Sequence, residues 1–263
     1  MWRLLGHPEA GDRQPAASEV VQVEALDGEH GGPYDGIMTK WPESSFLAGV
    51  PASSRTELLH LGTSRVYEPR HRLVDEGDES TFVVLLCAGC VKIEGRLEDG
   101  RQSLLAIRAR GDLVGEMAAF DGGPRSATVV CAGRVAANII PRGDFLRLLR
   151  TRADVSLAVN RMLVARLRQA NRRRLDFTGC EAPVRVARVL VEISEMYGRA
   201  TPQGLRSTVS LAQRELAALS GTSRETVEQT LRRLRKDGAV TTSYRLFTVT
   251  NRQALHDAAH LGP

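Results

Sequence analysis

Residues 115–128 read Gly-Glu-Met-Ala-Ala-Phe-Asp-Gly-Gly-Pro-Arg-Ser-Ala-Thr and lie between two runs typical of β-strands. The segment starts like a short helical turn, whose first backbone N–H groups have no intrahelical acceptor and can bind an anion. Arg125 follows a Gly-Gly-Pro bend, nine residues after Glu116, and a guanidinium can hold a phosphate in a bidentate manner. The Glu116 carboxylate can accept hydrogen bonds from sugar hydroxyls. These residue types also fit an ordinary turn with a surface ion pair.

Short apolar or alternating runs surround this segment, and turn-forming glycines separate them. The runs are residues 65–67, 82–87, 91–94, 103–107, 128–131 and 135–140. Many short strands at such spacing indicate a small antiparallel barrel or roll. The longest nearly apolar stretch, residues 82–91, has about half the ~20 residues that a membrane span needs, so no contact with a membrane is expected.

The pattern becomes helical after Pro141. Residues 142–150 and 154–177 contain helix-forming residues at three- and four-residue steps. Residues 161–174 include six arginines and no acid, yet they keep a narrow apolar seam. Such a seam suits a helix that pairs with a second copy of the chain, and the alternative is a surface helix packed on its own roll. Residues 178–183, Thr-Gly-Cys-Glu-Ala-Pro, break the helix and predict a hinge.

The last third of the chain predicts a winged helix-turn-helix. We expect a helix at 184–196, a loop at 201–204, a short strand at 207–209, helices at 211–219 and from Ser223 to about Lys236, and a hairpin at 239–249. Gly221 suits the turn between the two helices. Thr222 with Glu225, and Ser210 with Gln213, predict capping boxes at the two helix starts.

The net charge of +5 is unevenly distributed along the chain. Residues 1–40 carry three basic and seven acidic groups, for −4, whereas residues 183–263 carry 12 and seven, for +5. A basic terminal domain is typical of nucleic-acid binding, because each neutralised phosphate releases counterions. A solvated basic face is the alternative.

Residues 115–128 resemble the phosphate-binding cassette of cyclic nucleotide-binding domains, because they share Gly-Glu-x-Ala, the nine-residue step from Glu to Arg, and Arg-Ser-Ala. The order of roll, long helix, hinge and winged helix over residues 40–263 resembles the Crp/Fnr superfamily of bacterial transcription regulators. This resemblance implies that Arg125 clamps the phosphate and that Glu116 accepts the ribose 2′-hydroxyl. It assigns further phosphate contacts to Gly115, Met117, Ala118 and Ser126.

The resemblance also implies base-contacting residues on the long helix. Cyclic-AMP binders of the family present a hydroxyl and a polar neighbour to the adenine, whereas this chain has Ala170 and Asn171. Asn171 can still bond a purine edge, and Arg166 is a secondary contact or a solvated side chain.

Residues 223–227, Ser-Arg-Glu-Thr-Val, resemble the recognition helix of the catabolite-activator branch. Arg224 and Glu225 are expected to read bases. An Arg side chain donates hydrogen bonds to guanine, and a Glu carboxylate accepts one from cytosine. Gln229 stands where that branch commonly has a basic residue, which shifts operator preference. Arg214, Ser223 and Thr226 are expected on the DNA backbone.

We therefore predict an α+β chain with an N-terminal antiparallel β-roll, a long dimerisation helix and a C-terminal winged helix-turn-helix. The predicted domains are an acidic, mostly disordered tail at 1–39, a cyclic nucleotide-binding roll at 40–153, a dimerisation helix and hinge at 154–180, and a DNA-binding domain at 181–263. Met38 is an alternative translation start.

The expected function is regulation of transcription, in which a cAMP-like cyclic nucleotide in the roll controls binding to a palindromic operator. The expected partners are double-stranded DNA, a second copy of the chain and, for an activator, RNA polymerase. In the alternative, the roll pocket is vestigial or differently tuned, and DNA binding is constitutive or redox-responsive. No enzyme is expected, since no nucleophile–base–acid arrangement occurs, and no cofactor is required.

Four cysteines are spread over the chain, which favours a reducing cytoplasm. Cys87 and Cys90 have the spacing of metal ligands, and some Crp/Fnr relatives hold an iron–sulfur cluster. Those relatives place their cysteines in an N-terminal segment that has none here. A metal site needs further ligands nearby, so two thiols flanking a hairpin turn are the preferred interpretation and no metal is predicted.

Overall fold

The structure is a computed structural model that describes residues 41–261. The predicted tail at 1–39 and the alternative start at Met38 lie outside the described residues. Within residues 41–261 the chain forms a β-roll, a long helix and a winged helix-turn-helix, in that order. The predicted α+β fold class is confirmed.

The roll consists of two four-stranded antiparallel sheets within the described residues. Its strands are β1 (Thr63–Tyr67), β2 (Arg72–Val74), β3 (Val83–Ala88), β4 (Cys90–Arg96), β5 (Gln102–Ala109), β6 (Leu113–Val114), β7 (Thr128–Cys131) and β8 (Val135–Ile140). One sheet has the order β1-β8-β3-β6, and the other has the order β2-β7-β4-β5. The candidate phosphate-binding segment therefore connects β6 of one sheet to β7 of the other.

Strand β3 is buried on both faces, which explains its unbroken apolar sequence. Alternate side chains of a strand point to opposite sides of the sheet. Val84 and Leu86 pack inside the roll. Val83 and Leu85 pack on the opposite face, against the helices that cover the sheet. A run that is apolar without alternation is the pattern expected for a strand covered on both sides.

Besides a four-residue 3-10 helix at Phe46–Gly49, three elements at the edge of the roll were not predicted. They are helix α1 (Ala52–His60) and the strands β2 and β6, which have three and two residues. Strands of this length are too short to show a period-2 pattern. In α1 only Leu58 and Leu59 are buried apolar residues, so the helix lacks a continuous apolar stripe.

Helices α2 (Glu116–Asp121), α3 (Arg142–Thr151) and α4 (Ala153–Gly179) follow in the chain. The first turns of α4 bury Val155 and Val159 against the roll. Four apolar side chains on another face of α4 are 47–69% exposed, namely Leu157, Val164, Leu167 and Leu175, whereas the exposed Phe177 lies on a different face. We call these four residues the apolar stripe. Among the helices of residues 41–261, none combines the length and hydropathy of a membrane span.

The C-terminal domain contains α5 (Ala182–Tyr197), β9 (Gly198–Thr201), β10 (Gly204–Ser207), α6 (Gln213–Ser220), α7 (Arg224–Lys236), β11 (Val240–Ser243), β12 (Leu246–Val249) and α8 (Arg252–Ala258). Its strands form an antiparallel sheet in the order β11-β12-β10-β9. Helix α8 was not predicted; it buries Leu255 in the core of this domain.

The predicted loop at 201–204 is the turn of a hairpin at residues 202–203, whereas the predicted strand at 207–209 is wrong, because the strand is Gly204–Ser207. Strands β9 and β10 form a hairpin there, and β10 pairs with β12. A β-carbon on Gly204 would lie 2.1 Å from the carbonyl oxygen of Val249. The glycine is present because two strands approach closely, whereas in the sequence it resembles a loop signal.

The roll and the C-terminal domain pack against each other. Leu104 and Ile107 of β5 are buried in the same apolar cluster as the helices of the C-terminal domain. The hydroxyl of Tyr197 in α5 donates a hydrogen bond to the carbonyl oxygen of Ile107 at 2.8 Å. Strand β5 therefore belongs to a sheet of the roll and also contributes to the core of the C-terminal domain.

Candidate functional site

The candidate phosphate site begins at Gly115, the N-cap of α2, which has a left-handed backbone with φ 79°. A β-carbon at this position would lie 2.5 Å from Nη1 of Arg125 and 3.1 Å from the carbonyl oxygen of Phe82. Glycine is therefore required both by the backbone angle and by the space. Helix α2 ends after six residues at Gly122, also left-handed with φ 71°, and the chain then returns to Arg125.

Arg125 is buried, with 3% of its surface exposed, beneath the start of α2. Its Nη1 donates to the carbonyl oxygen of Gly115 at 2.8 Å, and its Nη2 donates to that of Phe82 at 2.7 Å. Its Nε donates to the hydroxyl of Ser80 at 3.1 Å. Among the described residues no carboxylate forms an ion pair with this guanidinium, so its hydrogen bonds are satisfied but its charge is not neutralised directly.

Burial lowers the pKa of Arg125 to about 10, although the charges of Asp78 and Glu116 oppose this shift. The guanidinium therefore remains protonated at neutral pH. A buried cation that contacts mainly carbonyl dipoles is energetically costly, and a bound anion would offset that cost. The electrostatics of this position suit a phosphate.

Glu116, the predicted acceptor of the ribose 2′-hydroxyl, is 5% exposed and pairs with the long helix. Its Oε1 accepts a hydrogen bond from Nη1 of Arg166 at 2.5 Å. Nη2 of Arg166 donates to the carbonyl oxygen of Leu113 at 2.7 Å. The structure thus brings Gly115, Glu116, Arg125 and Arg166 together, and the Glu116–Arg166 pair connects the segment to α4.

Of the other predicted phosphate contacts, Met117 and Ser126 lie at the surface and Ala118 does not. Met117 is 54% exposed, whereas Ala118 is buried. The exposed hydroxyl of Ser126 lies 3.6 Å from the sulfur of Met117. Ser126 and Met117 are thus close to each other at the surface, where an incoming ligand would meet them.

Asn171, the predicted base contact, has an exposed side chain, as has Ala170. Asn171 lies four residues after Leu167 and four before Leu175, so it shares a face of α4 with the apolar stripe. Its surroundings thus depend on what covers that stripe.

Helices α6 and α7 form the helix-turn-helix, with Gly221 at the turn in a left-handed conformation, φ 57°. The predicted capping box of Thr222 with Glu225 is wrong by one residue, because the N-cap of α7 is Ser223, whose hydroxyl accepts the N–H of Thr226 at 3.2 Å. The N–H of Thr222 instead donates to the carbonyl oxygen of Ala217. Thr222 therefore completes the C-terminal turn of α6.

The predicted capping box of Ser210 with Gln213 is also wrong. Helix α6 begins at Gln213 with Ala212 as its N-cap, and Glu215 accepts the N–H of Ala212 at 2.7 Å. Leu211 was expected in the helix, but its N–H donates to the carbonyl oxygen of Arg245 in the turn between β11 and β12. That bond keeps residue 211 in the loop, so the helix begins two residues later than predicted.

The predicted DNA-contacting residues lie on α6, at the N-cap of α7 and on α7. The side chains of Arg214, Ser223, Arg224, Glu225 and Gln229 are exposed, and that of Thr226 is half-buried. Nε of Arg224 lies 3.5 Å from the side-chain oxygen of Gln213, which connects the starts of α7 and α6. The pKa of Glu225 is lowered, because its carboxylate accepts hydrogen bonds from its own N–H and from Ser223.

The hairpin of β11 and β12 adds residues that the sequence interpretation missed. Nη1 of Arg235 in α7 donates to the hydroxyl of Thr242 at 2.8 Å. Tyr244 is 84% exposed at the hairpin tip, and Arg245 beside it has a positive φ of 56°. A groove of about 470 Å³ runs between α7, the start of α6 and this hairpin. The Tyr-Arg pair at a predicted hairpin tip was the available signal.

Cys87, Cys90 and Cys131 lie in or against apolar clusters, whereas the sulfur of Cys180 lies 4.0 Å from a carboxylate oxygen of Asp176. Cys87 and Cys131 are buried, and Cys90 and Cys180 are partly exposed. Burial raises the pKa of Cys90, and burial together with Cys90 raises the pKa of Cys131 to about 12. No cluster of three potential metal ligands occurs within residues 41–261.

Two family models match the chain in the same order as its domains. Residues 64–152 match the cyclic nucleotide-binding domain, and residues 184–258 match the Crp-like helix-turn-helix domain. The chain belongs to the Crp/Fnr superfamily. Members of this superfamily are transcription regulators and not enzymes, as the sequence predicted.

This regulator is similar in sequence to curated proteins whose names mention cyclic AMP. It is 34% identical over 161 residues to the CRP-like cAMP-activated global transcriptional regulator of Mycobacterium tuberculosis, an alignment that covers 61% of this chain and 72% of that protein. It is 33% identical over 177 residues to the cyclic AMP receptor protein of Thermus thermophilus, covering 67% and 78%.

Solved structures share the fold of this Crp/Fnr regulator. FixK2 from Bradyrhizobium japonicum superimposes with a TM-score of 0.67 at 21% identity, covering 77% of this chain and 100% of that one. The c-di-GMP responsive regulator CLP from Xanthomonas campestris gives 0.65 at 22% identity, covering 76% and 100%. At these identities the comparison establishes the fold alone.

Proposed function

We propose that this regulator binds a cyclic purine nucleotide of the cyclic-AMP type in its roll, and that the nucleotide controls binding of α7 to a specific operator. The observation that carries the proposal is the gathering of Gly115, Glu116, Arg125 and Arg166 at the start of α2. The names of the relatives from Mycobacterium tuberculosis and Thermus thermophilus support the cyclic-AMP type.

Phosphate binding is an exchange of partners at Arg125. Its Nη atoms now donate to the carbonyl oxygens of Gly115 and Phe82, and the phosphate oxygens would replace one or both. A bidentate bond between a guanidinium and a phosphate is charge-assisted and stronger than a bond to a neutral carbonyl. The exchange is therefore favourable, and Ser126 and the first N–H groups of α2 would complete the anion site.

Ribose binding is an exchange at Glu116. The carboxylate accepts from Arg166 in this structure, and a ribose 2′-hydroxyl would donate to the same oxygen. Arg166 would then lose its carboxylate partner and keep only its hydrogen bond to the carbonyl oxygen of Leu113 in the roll. Since Arg166 belongs to α4, ligand binding in the roll alters a contact of the helix that leads to the C-terminal domain.

The base end depends on a second copy of the chain. Asn171 shares its face of α4 with the apolar stripe, and two copies packed through this stripe would bury both features. Each Asn171 would then approach the nucleotide that the partner subunit holds. Ala170 supplies no hydroxyl, so the base is held by fewer hydrogen bonds than the phosphate.

Dimerisation also matches the DNA-binding domain. A helix-turn-helix dimer reads two half-sites about one helical turn apart, so a two-fold axis through α4 implies a palindromic operator. In each half-site Arg224, Glu225 and Gln229 would read bases, whereas Arg214, Ser223 and Thr226 would hold the DNA backbone. An activator of this architecture would also contact RNA polymerase.

Two measurements test the proposal together. Selection from randomised DNA, with and without cyclic AMP, should yield a palindrome whose enrichment increases with the nucleotide. Sedimentation should give a dimer at micromolar concentration. Leu167→Arg, which places a charge in the middle of the apolar stripe, should yield monomers, whereas Leu97→Arg at an exposed position of the roll should leave the dimer intact. A wild-type monomer would contradict the proposal.

A second candidate function follows from the occupied side chains of the roll site. Arg125 and Glu116 already have protein partners, so the pocket is also compatible with a regulator that binds DNA without a nucleotide. Equal enrichment of the operator with and without cyclic AMP, together with no heat of cyclic-nucleotide binding, would favour this candidate. Its redox-responsive form is disfavoured, because burial raises the pKa of Cys90 and Cys131.

A further inference from the structure

A cleft separates α4 from the C-terminal domain on the side of α4 away from the apolar stripe. Its volume is about 660 Å³, within the range of about 300–1,000 Å³ that is usual for small-molecule sites. Arg161, Gln169, Arg172 and Asp176 of α4 line one wall at helical spacing. Helix α5 forms the opposite wall, and β5 with the turn before β6 forms the floor. No residue of the phosphate-binding segment 115–128 lines the cleft.

The cleft is rich in arginine. Six arginines and four acidic residues line it: Arg108, Arg161, Arg166, Arg172, Arg173 and Arg188, with Asp112, Asp176, Glu192 and Glu195. The formal charge of the lining is therefore positive.

The acidic side chains have partners. Asp176 pairs with Arg188, and Glu192 pairs with Arg173. Glu195 pairs with Arg252 of α8. Asp112 is buried, and its carboxylate accepts the N–H groups of Phe46 and Ala109. Little negative charge remains for the other arginines.

Three arginines of the cleft have no ion pair within residues 41–261, namely Arg108, Arg161 and Arg172. Arg108 donates to the backbone carbonyl of Ile107 instead. Its charge, after burial, is the second cause that lowers the pKa of the neighbouring Arg166. Arg161 and Arg172 are 11 residues apart on α4, which corresponds to about 16 Å along the helix axis. The floor and the two ends of the cleft thus carry excess positive charge.

Most of the remaining lining is apolar, and its polar members are Ser44, Ser45 and Gln169. Met162 of α4, Val191 and Met196 of α5, and Leu261 contribute to the cleft. Methionine side chains adapt to flat or irregular ligand groups. A ligand that satisfies both parts of the lining carries several negative charges and one apolar or aromatic group.

We propose that this cleft is a second effector site, separate from the roll, and that it binds a nucleoside polyphosphate. The phosphates would contact Arg108, Arg161 and Arg172, and the base would lie against Met162 and Met196. Because the walls belong to the roll, to α4 and to the C-terminal domain, the ligand would bridge the two domains. This proposal does not depend on cyclic-nucleotide binding in the roll.

Calorimetric titration of the full chain with ATP, without added Mg²⁺, tests the proposal. Wild-type protein should bind one ATP per chain, and inorganic triphosphate should bind more weakly because it lacks a base. Arg161→Ala/Arg172→Ala should weaken ATP binding by about tenfold or more, since it removes two charge-assisted contacts. Arg150→Ala/Arg174→Ala, which removes equal charge from exposed positions outside the cleft, should match the wild type.

Arg125→Ala separates this site from the roll, and it should bind ATP as the wild type does. Three results would overturn the proposal. They are no heat with ATP at millimolar concentration, equal losses in the two double variants, and loss of ATP binding in Arg125→Ala. Equal affinity for ATP and inorganic triphosphate would overturn the assignment of a nucleoside.

Discussion

The ammonium group of Lys92 lies 2.7 Å from a carboxylate oxygen of Glu215, and this ion pair joins β4 of the roll to the first helix of the helix-turn-helix. Both side chains are mostly buried, with 12% and 15% of their surface exposed. The other oxygen of the Glu215 carboxylate accepts the N–H of Ala212, at the start of α6. One carboxylate therefore begins a DNA-binding helix and anchors it to the roll.

Removing this ion pair should destabilise the chain. Lys92→Met keeps the length of the side chain but leaves the carboxylate of Glu215 without its cation in a mostly buried position. We expect the free energy of unfolding to fall by about 1–3 kcal/mol, measured by urea denaturation. Arg101→Met, which breaks the exposed pair with Asp99, is the control and should cause no measurable change. Equal effects of the two substitutions would show that the buried pair has no special role.

Gly115 and Gly143 should respond in opposite ways to alanine. Gly115→Ala places a β-carbon 2.5 Å from Arg125 and strains a backbone with φ +79°, so it should destabilise by about 1–3 kcal/mol. Gly143 lies in α3 with no atom within 4 Å of a new β-carbon. Gly143→Ala should stabilise by about 0.5–1 kcal/mol, because alanine loses less conformational entropy in a helix. Thermal unfolding of both variants measures the difference.

The two ends of the cyclic-nucleotide site should differ in their sensitivity. Ala170→Thr restores a hydroxyl and should tighten cyclic-AMP binding by up to about tenfold, the value of one neutral hydrogen bond. Arg125→Ala should weaken it more than that, because it removes a charged, bidentate contact. Titration calorimetry compares both variants with the wild type. Unchanged affinity in Arg125→Ala would place the nucleotide elsewhere.

Arg224 and Arg214 should have separable effects on DNA binding. Arg224→Ala should cost roughly 1–3 kcal/mol and relax selection at one base pair of each half-site. Arg214→Ala should weaken all sequences alike and reduce the salt dependence of binding. Selection from a randomised operator, repeated at several salt concentrations, separates the two outcomes. If Arg224→Ala selected the same sequence as the wild type, α7 would not read the DNA through this residue.

The cysteines should not affect DNA binding. At neutral pH Cys131 is protonated, because its pKa is raised to about 12, and a thiol reacts far more slowly than a thiolate. Cys131 should therefore resist a mild oxidant, and operator binding should be the same for Cys87→Ser/Cys90→Ser as for the wild type, because no cluster of three potential metal ligands occurs within residues 41–261. Visible absorption in anaerobically purified protein that is lost in the double variant would contradict this expectation.

The candidate phosphate-binding segment could be predicted because a phosphate site constrains residue identity and spacing at once. Gly115 needs a left-handed angle, and the nine-residue step to Arg125 returns the guanidinium beneath it. The partners of these side chains could not be predicted. Glu116 pairs with Arg166, 50 residues away, and nothing in either local sequence indicates that contact.

The predicted starts of α6 and α7 were wrong for a different reason. Ser210, Thr222 and Ser223 are all good capping residues, and local sequence does not distinguish them. Tertiary hydrogen bonds decide between them, such as that from Leu211 to the carbonyl oxygen of Arg245. The contact between the roll and the C-terminal domain could not be predicted from local sequence either. Leu104 and Ile107 look like the buried face of an ordinary strand, whichever domain covers them.

Arg166 contacts Glu116 in the roll and also lines the cleft between α4 and α5. If a cyclic nucleotide displaces Arg166 from Glu116, the cleft gains a free cation, and a polyphosphate there is bound more tightly. Thermodynamic linkage then requires that the polyphosphate strengthen nucleotide binding by the same factor. The regulator would respond to the joint abundance of two metabolites and act as a coincidence detector, with a single side chain as the shared component.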